Sequence, residues 1–273
     1  MAYINVNNQQ LYYEDHGDKN APVLLFMHGF LMSSEMFASQ VEFFSSYRVI
    51  TFDARTFGKT KWDGEPFTLY DTVSDCMALL DHLGIEKVIL AGMSQGGYAA
   101  LRVALRFPSR VQGLILISTS AHVDADEVKA GYREVRDTWA EYGLVPQLQE
   151  NLMTGIIGPK EGNECHWDKW TPSWQGRTAN EIFHAMNNLI DRDDILPFLP
   201  EIKCPSLIIH GDQDFGVAFE MGEYLYNNLP NAVGFIKVEG GAHGTIMTHA
   251  ETVNGDLLYH LENHLLPELE KQD

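Results

Sequence analysis

The stretch Gly92-Met93-Ser94-Gln95-Gly96 follows the apolar run Val88–Ala91 and leads into a segment of helical period, Gly96–Phe107. Alone, G-x-S-x-G is a modest pattern. Between a strand and a helix it describes a sharp turn that lifts a serine hydroxyl above a sheet edge. Glycines two before and two after the serine leave room for the turned backbone and the neighbouring strand, and Gly97 lets the helix pack closely. The bland alternative is a glycine-rich turn whose serine only caps the helix.

Outward from this turn, the chain alternates short apolar runs with helical segments. It opens with a hairpin pattern, Tyr3–Val6 and Leu11–Glu14 about Asn7-Asn8. Strands are expected at Val23–Met27, Arg48–Phe52, Lys87–Ala91 and Val111–Ser118, with helices near Glu35–Ser45, Leu69–Leu83 and Gly96–Phe107. Continuous apolar strands between helices predict an α/β fold, with a mostly parallel sheet covered by helices on both faces. The rhythm breaks after Ser118. From His122 to Asp194 only helical patterns occur, and this stretch holds Trp139, Trp167, Trp170 and Trp174. Alternation resumes with a strand at Cys204–His210, a helix near Phe219–Leu229, a strand at Gly234–Val238 and a helix beyond Ala250. Residues 1–121 and 195–273 therefore read as one core, with 122–194 a helical cap inserted over the carboxyl ends of the strands, where open α/β sheets bind ligands.

With 273 residues, 45% of them hydrophobic, the chain can bury one large core. A net charge of −19 disfavours nucleic acid and anionic membrane surfaces as partners and otherwise serves solubility. Cys76, Cys165 and Cys204 are odd in number and widely spaced, which argues against a disulfide framework or thiolate zinc site. The first residues lack a basic region and an apolar stretch, and no run approaches a membrane span, so a soluble cytoplasmic protein is expected.

A serine hydroxyl attacks only when a base takes its proton. In the expected chain order of serine, acid and histidine, His210-Gly211-Asp212-Gln213-Asp214 and Gly240-Gly241-Ala242-His243-Gly244 each follow a strand and emerge at the edge that carries Ser94. His243 is assigned as general base and Asp214 as the group that orients it. His249, at a helix start, and His210, at a strand end, compete for the first role; Asp124 and Asp212 compete for the second. The backbone N–H groups of Gln95 and Phe30 are the candidate oxyanion donors. His28 is read as ordering the His28-Gly29-Phe30 loop, with Phe30 and Leu31 beside the acyl pocket. The cap tryptophans Trp139, Trp167 and Trp170 are pocket candidates, with packing inside the cap as the alternative.

With His28-Gly29-Phe30, Phe52-Asp53-Ala54-Arg55, Gly92 to Gly97, Cys204-Pro205 through Asp214, and Gly241-Ala242-His243 in place, the sequence resembles α/β-hydrolases of the small-ester and enol-lactonase-like group over nearly its whole length. The resemblance implies the α/β-hydrolase fold and a serine–histidine–aspartate mechanism without a cofactor, acting on a small-molecule ester or lactone. Two departures stand out. Thr56 occupies a position usually held by glycine, and Phe215-Gly216-Val217-Ala218 replaces the usual proline and small aliphatic residues after the acid.

Gly58-Lys59-Thr60 is not a phosphate loop, because Asp53 stands where its first glycine is required. A metal site is not expected, since the H-x-H-x-D-H run of metal-dependent lactonases is absent. Ser94 at the turn disfavours aspartate-nucleophile dehalogenases and epoxide hydrolases. Perhydrolase, C–C bond hydrolase and thioesterase activities use the same triad. A ligand sensor that signals through a protein partner is the alternative of a different class.

Overall fold

The computed structural model describes residues 2–266. Strands β1 (Ala2–Val6) and β2 (Gln9–His16) form the expected hairpin. Its two turn residues, Asn7 and Asn8, have φ of 47° and 63°, the left-handed pair that a tight hairpin turn demands. There follow β3 (Val23–Met27), α1 (Ala38–Phe43), β4 (Arg48–Phe52), α2 (Leu69–His82), β5 (Val88–Met93), α3 (Gln95–Arg106) and β6 (Val111–Ile117). Four helices come next: α4 (Asp126–Tyr142), α5 (Pro146–Ile156), α6 (Glu164–Gln175) and α7 (Ala179–Ile190). The chain returns to the sheet with β7 (Ser206–Gly211), α8 (Phe219–Asn228), β8 (Ala232–Val238), the short α9 (Thr245–Thr248) and α10 (Ala250–His260).

One sheet of eight strands results, in the order β1-β2-β4-β3-β5-β6-β7-β8. Only the pairs β1–β2 and β2–β4 are antiparallel. Right-handed crossovers then place α1 and α10, which touch each other, on one face, and α2 and α3, also in contact, on the other. Both faces are covered, which is why Leu24, Leu25 and Phe26 of β3 and Leu114 to Ile117 of β6 are fully buried. Burying each such side chain contributes about 1.5–3 kcal/mol.

The direction of connection reverses between β3 and β5: β3 leads to β4 on one side, whereas β5 leads to β6 on the other. A crevice opens at such a reversal beyond the carboxyl ends. Met27 pairs with Gly92 in register, so the segments starting at His28 and Ser94 flank it.

The expected single helix at Glu35–Ser45 is instead a 3-10 turn, Ser34–Phe37, followed by α1. The Ser33 hydroxyl accepts from Glu35 N–H, while Ser34 N–H is drawn to the Asp53 carboxylate at 2.7 Å. These contacts tie the first turn to β4 rather than to α1. Among the described residues Cys76, Cys165 and Cys204 are free thiols, and no helix is long and apolar enough to cross a membrane.

Candidate active site

Ser94 sits between β5 and α3 with φ 52° and ψ −117°, a backbone conformation side chains rarely adopt. Such strain costs about 1–3 kcal/mol and persists only where the surroundings impose it. Here Ser94 N–H donates to Ile117 O at 2.9 Å, and Ser94 O accepts from Thr119 Oγ1 at 2.8 Å and from Tyr98 N–H at 3.0 Å. The flanking glycines are steric necessities. A Cβ on Gly96 would lie 2.0 Å from Met27 O, and one on Gly92 would lie 2.4 Å from Gly96 O.

His243, five residues past β8, is buried beside Asp214, three residues past β7. Its Nδ1 is 2.9 Å from both carboxylate oxygens. An Nδ1–H donated to the carboxylate leaves Nε2 free to accept a proton. Asp214 Oδ1 also accepts from the N–H groups of Gly216 (2.8 Å) and Val217 (2.9 Å). The unusual Phe215-Gly216-Val217 sequence thus closes a tight turn on the carboxylate. Burial alone would raise the Asp214 pKa, but the adjacent His243 and His210 outweigh it and hold the group well below the ordinary carboxylate range.

The competitors are engaged elsewhere. Asp124 accepts from Arg192 Nη1 at 2.6 Å. Asp212 accepts from Gly240 N–H at 2.8 Å and pairs with Lys237. His249 begins α10 against the Thr248 hydroxyl. His210 is fully buried behind Asp214; its Nε2 donates to Val217 O at 2.9 Å and lies 3.3 Å from Asp214 Oδ2.

Ser94, His243 and Phe30 line one cavity of about 260 Å³. The helices between β6 and β7 supply much of its wall: Val128, Tyr132 and Val135 from α4, Leu152 and Ile156 from α5, and Met186 and Leu189 from α7. Tyr98 of α3, Phe215 and Val217 add to the apolar lining, Asn151 of α5 is polar, and no lysine, arginine or acidic side chain contributes. A larger groove of about 570 Å³ between the start of α2 and α7 contains none of Ser94, Asp214 and His243. Among the described residues no three histidine, cysteine or acidic side chains gather in a way that could hold a metal ion.

The N–H groups of Phe30 and Gln95 donate to no acceptor among the described residues. Gln95 opens α3, where no preceding turn can take its proton and the helix dipole favours negative charge. His28 orders the neighbouring loop: Nδ1 donates to Gly29 O at 2.8 Å, and Nε2 accepts from Ala54 N–H at 2.9 Å. Burial pushes its pKa down, so it stays neutral. Thr56, where the resemblance implies a glycine, takes a left-handed φ of 71°, and its carbonyl accepts from Arg177 Nη1 at 2.6 Å, a residue of the loop that joins α6 to α7.

Four expected pocket residues lie outside these walls. Leu31, with φ 63°, turns away from the cavity into the main core. Trp139, Trp167 and Trp170 are buried in the packing of the helices between β6 and β7. The Trp167 indole donates to Gly158 O at 3.1 Å and borders an outer groove. The residues missed were Tyr98, one helical turn beyond Ser94, and the stripe Val128–Tyr132–Val135, both carried by i, i+3/i+4 spacing.

Comparison with known proteins agrees with this architecture. The chain is 27% identical to a bifunctional esterase/perhydrolase of Acinetobacter calcoaceticus, over 94% of this chain and 98% of that one. It is also 27% identical to 3-oxoadipate enol-lactonase 2 of Acinetobacter baylyi, over 80% and 81%. The crystal structure of an enol-lactonase from Burkholderia xenovorans superposes with a TM-score of 0.87 over 96% of this chain and all of that one; at 23% identity this is a likeness of fold. Residues 22–250 match the family described as alpha/beta hydrolase fold, and the chain belongs to that family.

Proposed function

We propose that this protein hydrolyses carboxylic esters or lactones through an acyl-enzyme on Ser94. The observation that carries the reading is His243, held at Nδ1 by Asp214 and opening into the cavity that Ser94 lines. In this mechanism His243 Nε2 takes the Ser94 proton as Oγ attacks the carbonyl carbon, and the N–H groups of Phe30 and Gln95 receive the oxyanion. His243 then passes the proton to the leaving alkoxide. Water, deprotonated by His243, attacks the acyl carbon and frees Ser94. In a lactone the alkoxide stays tethered to the acyl group.

The segment 122–194 acts as a cap, because its helices wall the cavity above Ser94. The uncharged lining favours neutral acyl groups over carboxylate-bearing ones, since a buried unpaired charge is costly. The esterase/perhydrolase relative supports a side activity, in which hydrogen peroxide replaces water in the second step and releases a peracid.

The test is a kcat/KM panel of short linear esters, simple lactones, acyl-homoserine lactones and enol lactones. Multiple turnover on at least one class, abolished in Ser94→Ala, is the expected result. Stoichiometric binding with a raised Tm but no turnover on any class would replace the enzyme by a ligand sensor.

A further inference from the structure

Among the polar groups of the cavity that the mechanism leaves without a task are two phenols. Tyr98 lies one helical turn beyond Ser94 and is only 4% exposed. Tyr132 reaches the same cavity from α4. A buried phenol normally finds an acceptor. The hydroxyl of Tyr12 does so, donating to Glu14. The hydroxyls of Tyr98, which is buried, and Tyr132, which is partly buried, make no hydrogen bond among the described residues and border the cavity. Two donors without partners thus face a largely apolar chamber beside the attacking serine.

Their surroundings keep them as neutral donors. Burial raises both phenol pKa values, that of Tyr98 to about 12. The Arg192 guanidinium lies 4.4 Å from the Tyr98 ring centroid, where a cation draws electron density from the ring and strengthens the O–H as a donor. Arg192 is not free to bind a substrate carboxylate. It donates to Asp124 (2.6 Å), Leu189 O (2.9 Å) and His122 O (3.0 Å). The site therefore offers hydrogen bonds without net charge.

We propose that Tyr98 and Tyr132 form an oxygen-recognition subsite, and that the preferred substrate is an uncharged ester or lactone whose acyl part carries a second carbonyl oxygen. The proposal rests on Ser94 as the attacking group. The helical turn separating Ser94 from Tyr98 spans about 5.4 Å, so the second oxygen sits several bonds from the carbonyl under attack. A site built to donate to such an oxygen discriminates against the analogue without it, because the donors that line the cavity are then left unpaired beneath the bound acyl group.

The test uses matched substrates, p-nitrophenyl levulinate and p-nitrophenyl pentanoate, which differ by a ketone in place of a methylene. The wild-type protein is expected to favour the keto ester in kcat/KM by on the order of 10-fold. In the Tyr98→Phe/Tyr132→Phe double variant this ratio should fall to about 1, with each single variant between. A wild-type ratio near 1, or a preference that survives in the double variant, would overturn the subsite. Calorimetric titration of Ser94→Ala with methyl levulinate and methyl pentanoate separates this inference from the catalytic one. A binding preference lost with both hydroxyls upholds the subsite even if neither ester turns over, and that outcome would count against Ser94 alone. Turnover without any preference counts against the subsite alone.

Discussion

Replacing Asp214 by asparagine should stop the proton relay while leaving the loop in place. Asp214 Oδ1 accepts two backbone N–H groups, from Gly216 and Val217, at 2.8 and 2.9 Å. The asparagine carbonyl must keep that position, because an NH2 group there would face two donors. The amide nitrogen then replaces Oδ2, 2.9 Å from His243 Nδ1 and 3.3 Å from His210 Nε2. His243 Nδ1 then lies 2.9 Å from both a new N–H donor and a carbonyl oxygen already held by two backbone N–H groups, which favours Nδ1 as acceptor and the ring proton on Nε2. In that tautomer the imidazole cannot take the Ser94 proton. Loss of the correct tautomer in a triad costs about 1,000- to 10,000-fold in rate, or ~4–5.5 kcal/mol of transition-state stabilisation. The assay is kcat/KM on a short p-nitrophenyl ester, with circular dichroism to check folding. Asp124→Asn serves as control, because that carboxylate is bound to Arg192. A loss below tenfold in Asp214→Asn, or an equal loss in the control, would refute the reasoning.

Three further predictions rest on different features. A Cβ on Gly216 would lie 2.9 Å from His243 Cγ and 3.0 Å from Nδ1, so Gly216→Ala should tilt the imidazole and lower kcat about 10- to 100-fold, with Tm nearly unchanged. A fully active variant would show that the ring has room to move. Thr56→Gly should raise stability by about 0.5–1 kcal/mol in urea unfolding, because it relieves a left-handed threonine and a buried hydroxyl without a partner; a lower midpoint would contradict this. His28 has a depressed pKa when folded, so the unfolded chain binds its proton first and stability is lost as pH falls below about 6.5. Unfolding free energies from urea titrations between pH 6.5 and 5 should therefore fall less steeply in His28→Gln, by up to ~1.4 kcal/mol per pH unit. An identical slope would show that His28 does not drive the loss.

What could be read before folding depended on how local the signal was. Val23–Met27 and Arg48–Phe52 are strands with the expected bounds, because a strand buried on both faces leaves an uninterrupted apolar run. The hairpin was legible because Asn7-Asn8 tolerates two left-handed residues. Ser94 and the loops of Asp214 and His243 could be placed at one sheet edge because each follows a parallel strand. The helical segment was legible as helix, but its faces were not. Which side of α4 meets the cavity depends on packing against α7, a partner about fifty residues away. Tryptophan content therefore pointed to the wrong residues: Trp139 and Trp170 stabilise the helices, while Val128, Tyr132 and Val135 line the chamber. Thr56 could not be read in full from its type: the side chain sits on a left-handed backbone, and the contact with Arg177, more than a hundred residues away, fastens it.

The central claim is that Ser94 is the nucleophile, and covalent trapping tests it most directly. Incubation with a fluorophosphonate, followed by digestion and mass spectrometry, should give stoichiometric modification on Ser94. Labelling should vanish in Ser94→Ala and slow strongly in His243→Ala. Modification of another residue, or labelling of Ser94→Ala at the wild-type rate, would contradict the account.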